Sequence, residues 1–356
     1  MCLSLLALVT GFGSVKDIQI DEIKLSGNAI TRLQDPVSEC HVVALSSDGQ
    51  QVVGYGTPAA NGGHGGFAWN KKTGVRPLPL PADLAKLTSH GSASSISDNG
   101  LVFGGSGLWI SKSSKIASLF KKDVVPVAAL APFPLTDAST GPINADGTVI
   151  VLEVAGSAGK KLFTWRADSR RVSPLVGRDG KRLLGAVLDI SAKGEVMVGC
   201  TFKGTDPLGF VLANGKYRQV PGTPKYPFSK VECLTDDGKI AFGNFQDRDN
   251  RSSGFRWSVG STKPLPLPKQ FVVQSISGRG EFVAGWIQDE PALLVGEKVF
   301  HLKDVLRDKL PSETIDNSTI VSVKKVGGSV FLLLDAEHET TDYRITLSAS
   351  MFGLKS

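Results

Sequence analysis

The stretch VVALSSDGQQVVGYG, residues 42–56, predicts two β-strands joined by a tight turn. Short apolar runs flank the polar segment Ser-Ser-Asp-Gly on both sides. Asp-Gly suits such a turn because glycine adopts a positive φ without steric cost, and because the Asp side chain can hydrogen-bond within the turn. The stretch therefore predicts a β-hairpin whose turn ends at Gly49.

This hairpin pattern recurs along the chain at intervals of 42 to 51 residues. Each copy has an apolar residue, then Ser, Thr or Asn, and a turn glycine three positions later. We expect the Ser, Thr or Asn side chain to hydrogen-bond a turn amide. A second glycine follows five positions further on in most copies, and there we expect close approach of a neighbouring strand. The turn glycines are Gly49, Gly100, Gly147, Gly194, Gly238 and Gly280.

Two further strands follow each hairpin. The third carries an aromatic pair in several copies, as in GGFAWN (65–70), KLFTWR (161–166) and SGFRWS (253–258), whereas GLWIS (107–111) represents it in the second copy. Residues two apart on a strand face the same side, and the recurrence of the pair predicts packing between repeats rather than a sugar-binding platform. Four short strands per repeat of this length are typical of a β-propeller blade.

The two ends of the chain bear on the number of blades. Residues 319–348 contain three strand-like runs, and residues 15–25 form one more strand without a partner of its own. We therefore expect an all-β fold consisting of a single β-propeller over residues 14–356, with seven four-stranded blades. The N-terminal strand would close the ring as the outer strand of the last blade and so cover an exposed edge. A six-bladed ring with an accessory terminal sheet is the alternative.

Composition narrows the function classes. The chain has 356 residues, of which 41% are hydrophobic and 21% charged, as expected for a packed soluble protein. Its net charge of +6 comes from scattered basic pairs, which argues against a nucleic-acid-binding face. The four cysteines, Cys2, Cys40, Cys200 and Cys233, lack zinc-site spacing, and we expect free, mostly buried thiols. No metal or other cofactor is predicted.

The first residues suggest export. Residues 1–13 contain an apolar core from Cys2 to Val9 followed by small residues, as in a truncated secretory signal, although a basic start and an A-x-A cleavage site are missing. No run reaches the ~18 apolar residues that a membrane-spanning helix requires. We expect a secreted or cell-envelope protein without a transmembrane helix, and a cytoplasmic location is the alternative.

The repeat resembles that of the HAF-repeat proteins, a family of probable extracellular bacterial repeats. The resemblance covers about residues 41–300 and rests on the turn motif, the following Val-Val-Gly and the third strand. Gly-Phe-Ala-Trp at 66–69 is closest to the family motif, Leu-Phe-Thr-Trp at 162–165 and Gly-Phe-Val-Leu at 209–212 depart further, and no copy contains His-Ala-Phe. The resemblance implies a β-propeller and surface exposure, and it implies no established activity.

Variable loops indicate where a ligand would bind. In a four-stranded blade the first hairpin turns lie on one face of the disc, and the connections between second and third strands lie on the other. That second face carries long, chemically varied loops, and loops on a rigid scaffold commonly bind ligands. We predict a binding surface there that includes His64, Asp247, Arg248, Asp249 and Arg251. An ordinary solvated loop is the alternative explanation of this charged cluster.

No catalytic motif is present: G-x-S-x-G, H-E-x-x-H and P-loop sequences are all missing. The sequence therefore favours a non-catalytic, monomeric β-propeller that binds a protein or glycan through its loop-rich face. The alternative is an enzyme acting on a carbohydrate or lactone at the mouth of the central channel, because propellers can assemble sites across blades.

Overall fold

The structure is a computed structural model. It describes residues 18–25, 37–58, 65–78, 92–98, 102–108, 114–120, 124–126, 138–154, 160–169, 171–177, 179–336 and 341–354. The predicted signal-like segment, residues 1–13, lies outside these ranges, as do Gly100, Trp109 and His64.

The described strands form seven four-stranded antiparallel sheets, here called blades. The first three are blade 1, with β2 (Val37–Leu45), β3 (Gln51–Pro58), β4 (Gly65–Asn70) and β5 (Gly74–Pro77); blade 2, with β6 (Ser92–Ile96), β7 (Val102–Leu108), β8 (Ser114–Phe120) and β9 (Val124–Pro126); and blade 3, with β10 (Ala138–Ile143), β11 (Val149–Val154), β12 (Lys161–Arg166) and β13 (Arg171–Pro174).

The other four follow in chain order. Blade 4 contains β14 (Gly185–Ile190), β15 (Val196–Lys203), β16 (Asp206–Ala213) and β17 (Lys216–Gln219); blade 5 contains β18 (Phe228–Leu234), β19 (Ile240–Gln246), β20 (Ser252–Ser258) and β21 (Leu265–Pro266); blade 6 contains β22 (Phe271–Ile276), β23 (Phe282–Ile287), β24 (Glu290–Val295) and β25 (Lys298–His301); and blade 7 contains β26 (Ser318–Val326), β27 (Ser329–Ala336), β28 (Thr341–Ser348) and β1 (Ile18–Lys24). The expected all-β propeller with four-stranded blades is confirmed.

Two short helices connect blade 6 to blade 7, α1 (Leu302–Val305) and α2 (Ser312–Asp316), and a 3-10 helix (Ala349–Phe352) follows β28. The apolar spacing of Val305, Leu306 and Leu310 is typical of a short helix in this region. One strand prediction was wrong: the third strand of blade 2 is Ser114–Phe120 and not 107–111, because β7 extends to Leu108 and includes the first two residues of that segment.

Every first strand contains a β-bulge, seen as a register shift against the second strand. The bulge explains the second glycine of the repeat. In blade 5, Val231 and Cys233 pair with Gly243 and Phe242, so Glu232 is extra. A Cβ on Gly243 would lie only 2.2 Å from the Lys230 carbonyl oxygen. The bulged strand therefore approaches a position that only glycine can occupy, which confirms the predicted close approach.

The turn side chain closes the hairpins of blades 1, 3, 4, 5 and 6 as predicted. In blade 5 the Thr235 hydroxyl accepts a hydrogen bond from the Ile240 amide at 3.0 Å, and Gly238 has a φ of 71°. The same bond recurs with acceptors Ser46, Asn144, Ser191 and Ser277, at 2.8 to 3.0 Å. These side chains are buried, so the bond satisfies groups that would otherwise be costly to bury.

The residue after the bulge links neighbouring blades. The Asp189 carboxylate accepts a hydrogen bond from the Leu234 amide at 2.8 Å, and the Ser275 hydroxyl accepts one from the Val323 amide at 3.2 Å. Between those two pairs, the Cys233 thiol donates to the Gln274 carbonyl oxygen at 3.3 Å. The first strands of blades 4 to 7 are thus joined by side chains that reach the next blade.

Aromatic side chains fill the spaces between blades, as the sequence predicted. Phe67 and Trp69 of blade 1 are buried in one cluster with Phe331 and Leu333 of blade 7. Trp257 of blade 5 likewise packs in a cluster shared with blade 4. Each blade therefore buries one face against its neighbour, and blade 1 does so against blade 7.

The chain ends meet in blade 7. Strand β1 pairs with β28 from Ile18 opposite Leu347 to Lys24 opposite Thr341. Arg344 of β28 is only 3% exposed, and its guanidinium contacts the Asp21 carboxylate of β1 at 2.6 Å. It also donates to the Gly49 carbonyl oxygen of blade 1 at 2.6 Å. One buried cation thus joins the N-terminal strand, the last blade and the first hairpin turn.

A buried carboxyl group lies at the same junction. The Asp342 side chain is fully buried and accepts hydrogen bonds from the amides of Val42 in blade 1, at 3.0 Å, and of Ala336, at 2.9 Å. Burial and, to a smaller extent, the nearby Asp335 carboxylate raise the pKa of Asp342 to about 7.

We predict that Arg344→Met destabilises the protein by about 3 kcal/mol, because the substitution removes the buried guanidinium from the Asp21 carboxylate, which then keeps only the more exposed Lys71 ammonium group at 2.8 Å, and because it removes a hydrogen bond from the closure. Urea unfolding measures the change. The double variant Arg344→Met with Asp21→Asn should recover part of the loss, whereas Arg307→Met at an exposed pair should change stability by less than about 0.5 kcal/mol. A loss below that limit in Arg344→Met would contradict the assigned role.

Asp342 predicts a pH-dependent stability. Its folded-state pKa of about 7 lies above the ordinary value of about 3.9, so the protonated carboxyl favours the folded state below pH 4 and this advantage is lost as the pH rises to 7. Between pH 5 and pH 8 the native chain should lose on the order of 2 kcal/mol more unfolding free energy than Asp342→Asn. Asp308→Asn, at an exposed carboxyl group, is the control, and its stability should depend on pH as that of the native chain does. If the stability of Asp342→Asn also depends on pH as that of the native chain does, the prediction is wrong.

Candidate functional site

Two cavities lie on opposite faces of the disc. The hairpin face carries the turns between first and second strands, and its cavity of about 730 Å³ is the mouth of the central channel. The loop face carries the connections between second and third strands and between blades. There a groove of about 1290 Å³ runs over blades 5, 6 and 7, and we call it the loop-face groove.

Four loops and one short hairpin build the loop-face groove. They are the segment before β18 with Lys225 and Tyr226, the β19–β20 loop with Asp247 to Arg251, the β21–β22 connection with Lys269 and Gln270, the β23–β24 hairpin with Gln288 and Asp289, and the end of α2 with Asp316 and Asn317. The groove lies on the face that the sequence predicted for binding.

The predicted cluster in the β19–β20 loop mainly shapes that loop. The Asp247 carboxylate is buried and accepts hydrogen bonds from the amides of Asp249 and Arg251, both at 2.9 Å, while the Arg251 guanidinium contacts it at 3.1 Å. Burial alone would raise the pKa of Asp247, but these amides and the guanidinium outweigh it and lower the pKa below its usual value. Asp247 and Arg251 line the groove.

Two other predicted residues, Arg248 and Asp249, do not line it. Asp249 is exposed, and its carboxylate contacts the Arg251 guanidinium at 2.5 Å. Arg248 is exposed at the tip of the loop. His64 lies outside the described residues, so the structure places only part of the predicted set together.

The groove contains an unusual concentration of backbone strain. Among the described residues, five other than glycine have a positive φ, and four of them line this groove: Asn250, Gln270, Gln288 and Asp289, with φ values of 63°, 66°, 53° and 63°. The fifth, Asn214, lies elsewhere. Glutamine is disfavoured in this conformation, which costs roughly 1 kcal/mol or more per residue.

The two strained glutamines contact each other. The Gln288 side-chain amide donates to the Gln270 side-chain oxygen at 3.2 Å, joining the β23–β24 hairpin to the β21–β22 connection. Both side chains are exposed to the groove. Neither glutamine was predicted as a site residue, because nothing in the sequence around it indicates a positive φ.

Two half-buried aromatic residues also line the groove. Tyr226 stacks against Phe245, with ring centroids 6.1 Å apart, and carries the Lys225 ammonium group 4.9 Å above its ring. Trp286 lies near the end of β23. They escaped prediction because neither belongs to the repeated aromatic pair.

His41 contacts side chains that no sequence motif predicted. Its imidazole lies 3.3 Å from the Asp335 carboxylate and 3.4 Å from the Glu39 carboxylate, and its ring centroid is 5.0 Å from that of Tyr55. Burial acts to lower the pKa of His41, but the two carboxylates outweigh it and raise the pKa. His41 lines neither of the two cavities above. The cluster instead links blade 1 to blade 7, since Asp335 belongs to β27.

The described ranges contain neither a ligand set for a metal ion nor a helix able to cross a membrane. No group of three or more His, Cys, Asp or Glu side chains there is placed to hold a metal ion. No helix in those ranges has the length and apolar content needed to cross a membrane. Cys40, Cys200 and Cys233 are free and buried, as predicted.

Known proteins resemble this chain in fold. No protein-family model matches the sequence, and no curated protein is similar to it in sequence. Oligogalacturonate lyase from Vibrio parahaemolyticus superposes with a TM-score of 0.56 at 10% identity, over 93% of this chain and 98% of that one. The β-propeller domain of the Trilobed protease from Pyrococcus furiosus has a TM-score of 0.54 at 10% identity, over 87% and 95%.

TolB from Acinetobacter baumannii is more distant, with a TM-score of 0.48 at 10% identity. The match covers 85% of this chain and 64% of TolB, so the chain spans under two thirds of that protein. At such identities the likeness to solved structures concerns the fold alone: this chain is a β-propeller.

Proposed function

We propose that this chain is a non-catalytic β-propeller that binds a protein or glycan in the loop-face groove. The observation that carries the proposal is the clustering there of four residues with a positive φ, of which Gln270 and Gln288 are strained by that conformation. Strain at several neighbouring positions reduces stability, and it persists where a fixed arrangement of side chains is useful for binding.

The lining favours a glycan over a protein. Tyr226 and Trp286 present apolar rings with polar edges, and Asn250, Gln270 and Gln288 present amide groups that both donate and accept hydrogen bonds. Sugar rings have apolar faces and hydroxyl groups at their edges, so an aromatic and amide lining suits them. The volume is also large enough for several sugar units, since small-molecule sites measure about 300–1,000 Å³.

We place this function in the cell envelope or outside the cell. Support comes from the apolar segment between Cys2 and Val9 and from the resemblance to HAF repeats. Fractionation of the native host, with the protein detected by antibody, tests this location, and a purely cytoplasmic signal would refute it.

Glycine substitution separates strain from binding. Gln270→Gly and Gln288→Gly keep the backbone conformation, relieve the strain and delete the amide side chain. We expect each to raise the unfolding free energy by up to about 1 kcal/mol and to weaken binding on a glycan array at least tenfold. Asn214→Gly is the matched control, because it changes a residue of the same backbone conformation outside the groove and should leave binding unchanged.

The outcomes are distinct. Loss of binding in the two glutamine variants but not in the Asn214 variant supports the groove. Equal binding in all three refutes it. Capture of a protein in place of a glycan, with the same dependence on the glutamines, would replace the glycan by a protein at this site. Release of glycan fragments, measured by chromatography after incubation, would favour the alternative of a carbohydrate-active enzyme.

A further inference from the structure

The wall of the central channel follows the repeat, so departures from the repeat can be recognised there. The apolar residue before each turn Ser, Thr or Asn lines the channel in five blades and forms an aliphatic collar. The collar residues are Ile96, Ile143, Ile190, Leu234 and Ile276. The collar itself is apolar, whereas the turns add the charged residues Asp98 and Asp236 to the cavity lining.

Blades 4 and 5 each add a carboxylate from the first strand to one side of the cavity. The extra residue of the bulge is uncharged in blades 4, 6 and 7, where it is Leu188, Gln274 and Val321, but it is Glu232 in blade 5. The Glu232 side chain is half-buried, with its Oε1 3.1 Å from the Lys230 ammonium group and 3.4 Å from the Asn244 side-chain amide. Asp189, the residue after the bulge in blade 4, adds a second carboxylate to this wall.

Blade 7 adds positive charge to the cavity where blades 4 and 5 add negative charge. Val323 pairs with Leu332 as Leu234 pairs with Ala241 in blade 5, so Lys324 occupies the position of the buried turn hydroxyl of Thr235. The strand pairing continues beyond this point to Val326 opposite Ser329, which makes the hairpin of blade 7 longer than that of blade 5.

The longer hairpin brings two lysines into the channel mouth. The Lys325 ammonium group contacts the Glu281 carboxylate of blade 6 at 3.0 Å. Lys324 is half-buried and has no ion-pair partner among the residues that the structure describes. A cation without a partner in a cavity wall is available to an anionic ligand.

Lys324 and the acidic wall interact electrostatically across the cavity. Burial raises the pKa of Asp189 to about 6, against the opposing effects of two amide hydrogen bonds and of the Lys324 charge. Lys324 is therefore within electrostatic reach of the acidic wall but forms no contact with it. The space between them lies in a cavity of about 730 Å³, the size of a small-molecule site.

We propose that the channel mouth binds a small zwitterion of the amino-acid or short-peptide class. Its ammonium group lies against Glu232 and Asp189, its carboxylate against Lys324, and an aliphatic side chain against the collar. This site is on the face opposite the loop-face groove and shares no lining residue with it, so binding at one site can be tested independently of binding at the other.

Alanyl-leucine is the probe, with N-acetyl-alanyl-leucine and alanyl-leucinamide as forms that lack one charge each. Isothermal titration measures the three dissociation constants at probe concentrations up to about 10 mM, which detects even millimolar binding. We expect alanyl-leucine to bind at least tenfold more tightly than either capped form. Failure of alanyl-leucine to bind, or equal affinity for all three, overturns the proposal.

Two variants assign the charges. Lys324→Thr restores the residue type of the other turns and should fold at least as well; it should weaken alanyl-leucine at least tenfold and leave the affinity for alanyl-leucinamide unchanged. Glu232→Gln should weaken alanyl-leucine and spare N-acetyl-alanyl-leucine. Lys298→Met, on the exposed outer strand of blade 6, is the control for loss of a lysine. Native affinity in Lys324→Thr or in Glu232→Gln overturns the assignment, and thermal unfolding confirms that both are folded.

Discussion

Burial of each blade face against the next blade is the constraint on which the rest of the structure depends. A single four-stranded sheet cannot bury both faces, and the clusters shared by blades 4 and 5 and by blades 7 and 1 show how neighbours satisfy this need. The bulge serves the same packing. It brings the first strand close to a side-chain-free glycine of the second strand and aims the next residue, such as Asp189, at the neighbouring blade.

Closure places special demands on the junction of blades 7 and 1. There the packing joins the two ends of the chain, and the junction contains buried charges as well as apolar contacts. Arg344 and Asp21 are 323 positions apart and meet in the last blade. Asp342 accepts a hydrogen bond from the Val42 amide across the same junction. Buried charged groups are costly unless paired, so these pairs favour the one arrangement in which all are satisfied.

The two faces differ because the repeat constrains them differently. The turns of the hairpin face repeat one set of hydrogen bonds, so a departure such as Lys324 is easily recognised against its neighbours. The connections on the loop face are not bound by the repeat. They adopt strained backbone at Gln270 and Gln288 without disturbing the blades, and they can vary to suit a ligand.

Local signals in the sequence determined much of the architecture. Turn glycines, the Ser, Thr or Asn before them and the paired aromatics each act within a few residues or at a fixed period, so they predicted the hairpins, the four-stranded blades and the packing between them. The partner of the N-terminal strand also followed, because an apolar, alternating strand needs a sheet edge. Only the tertiary structure decided which charges meet. His41 meets Asp335 and Arg344 meets Asp21 from distant parts of the chain, and Lys324 lines the same cavity as Glu232. These placements depend on the angle and register at which whole blades pack.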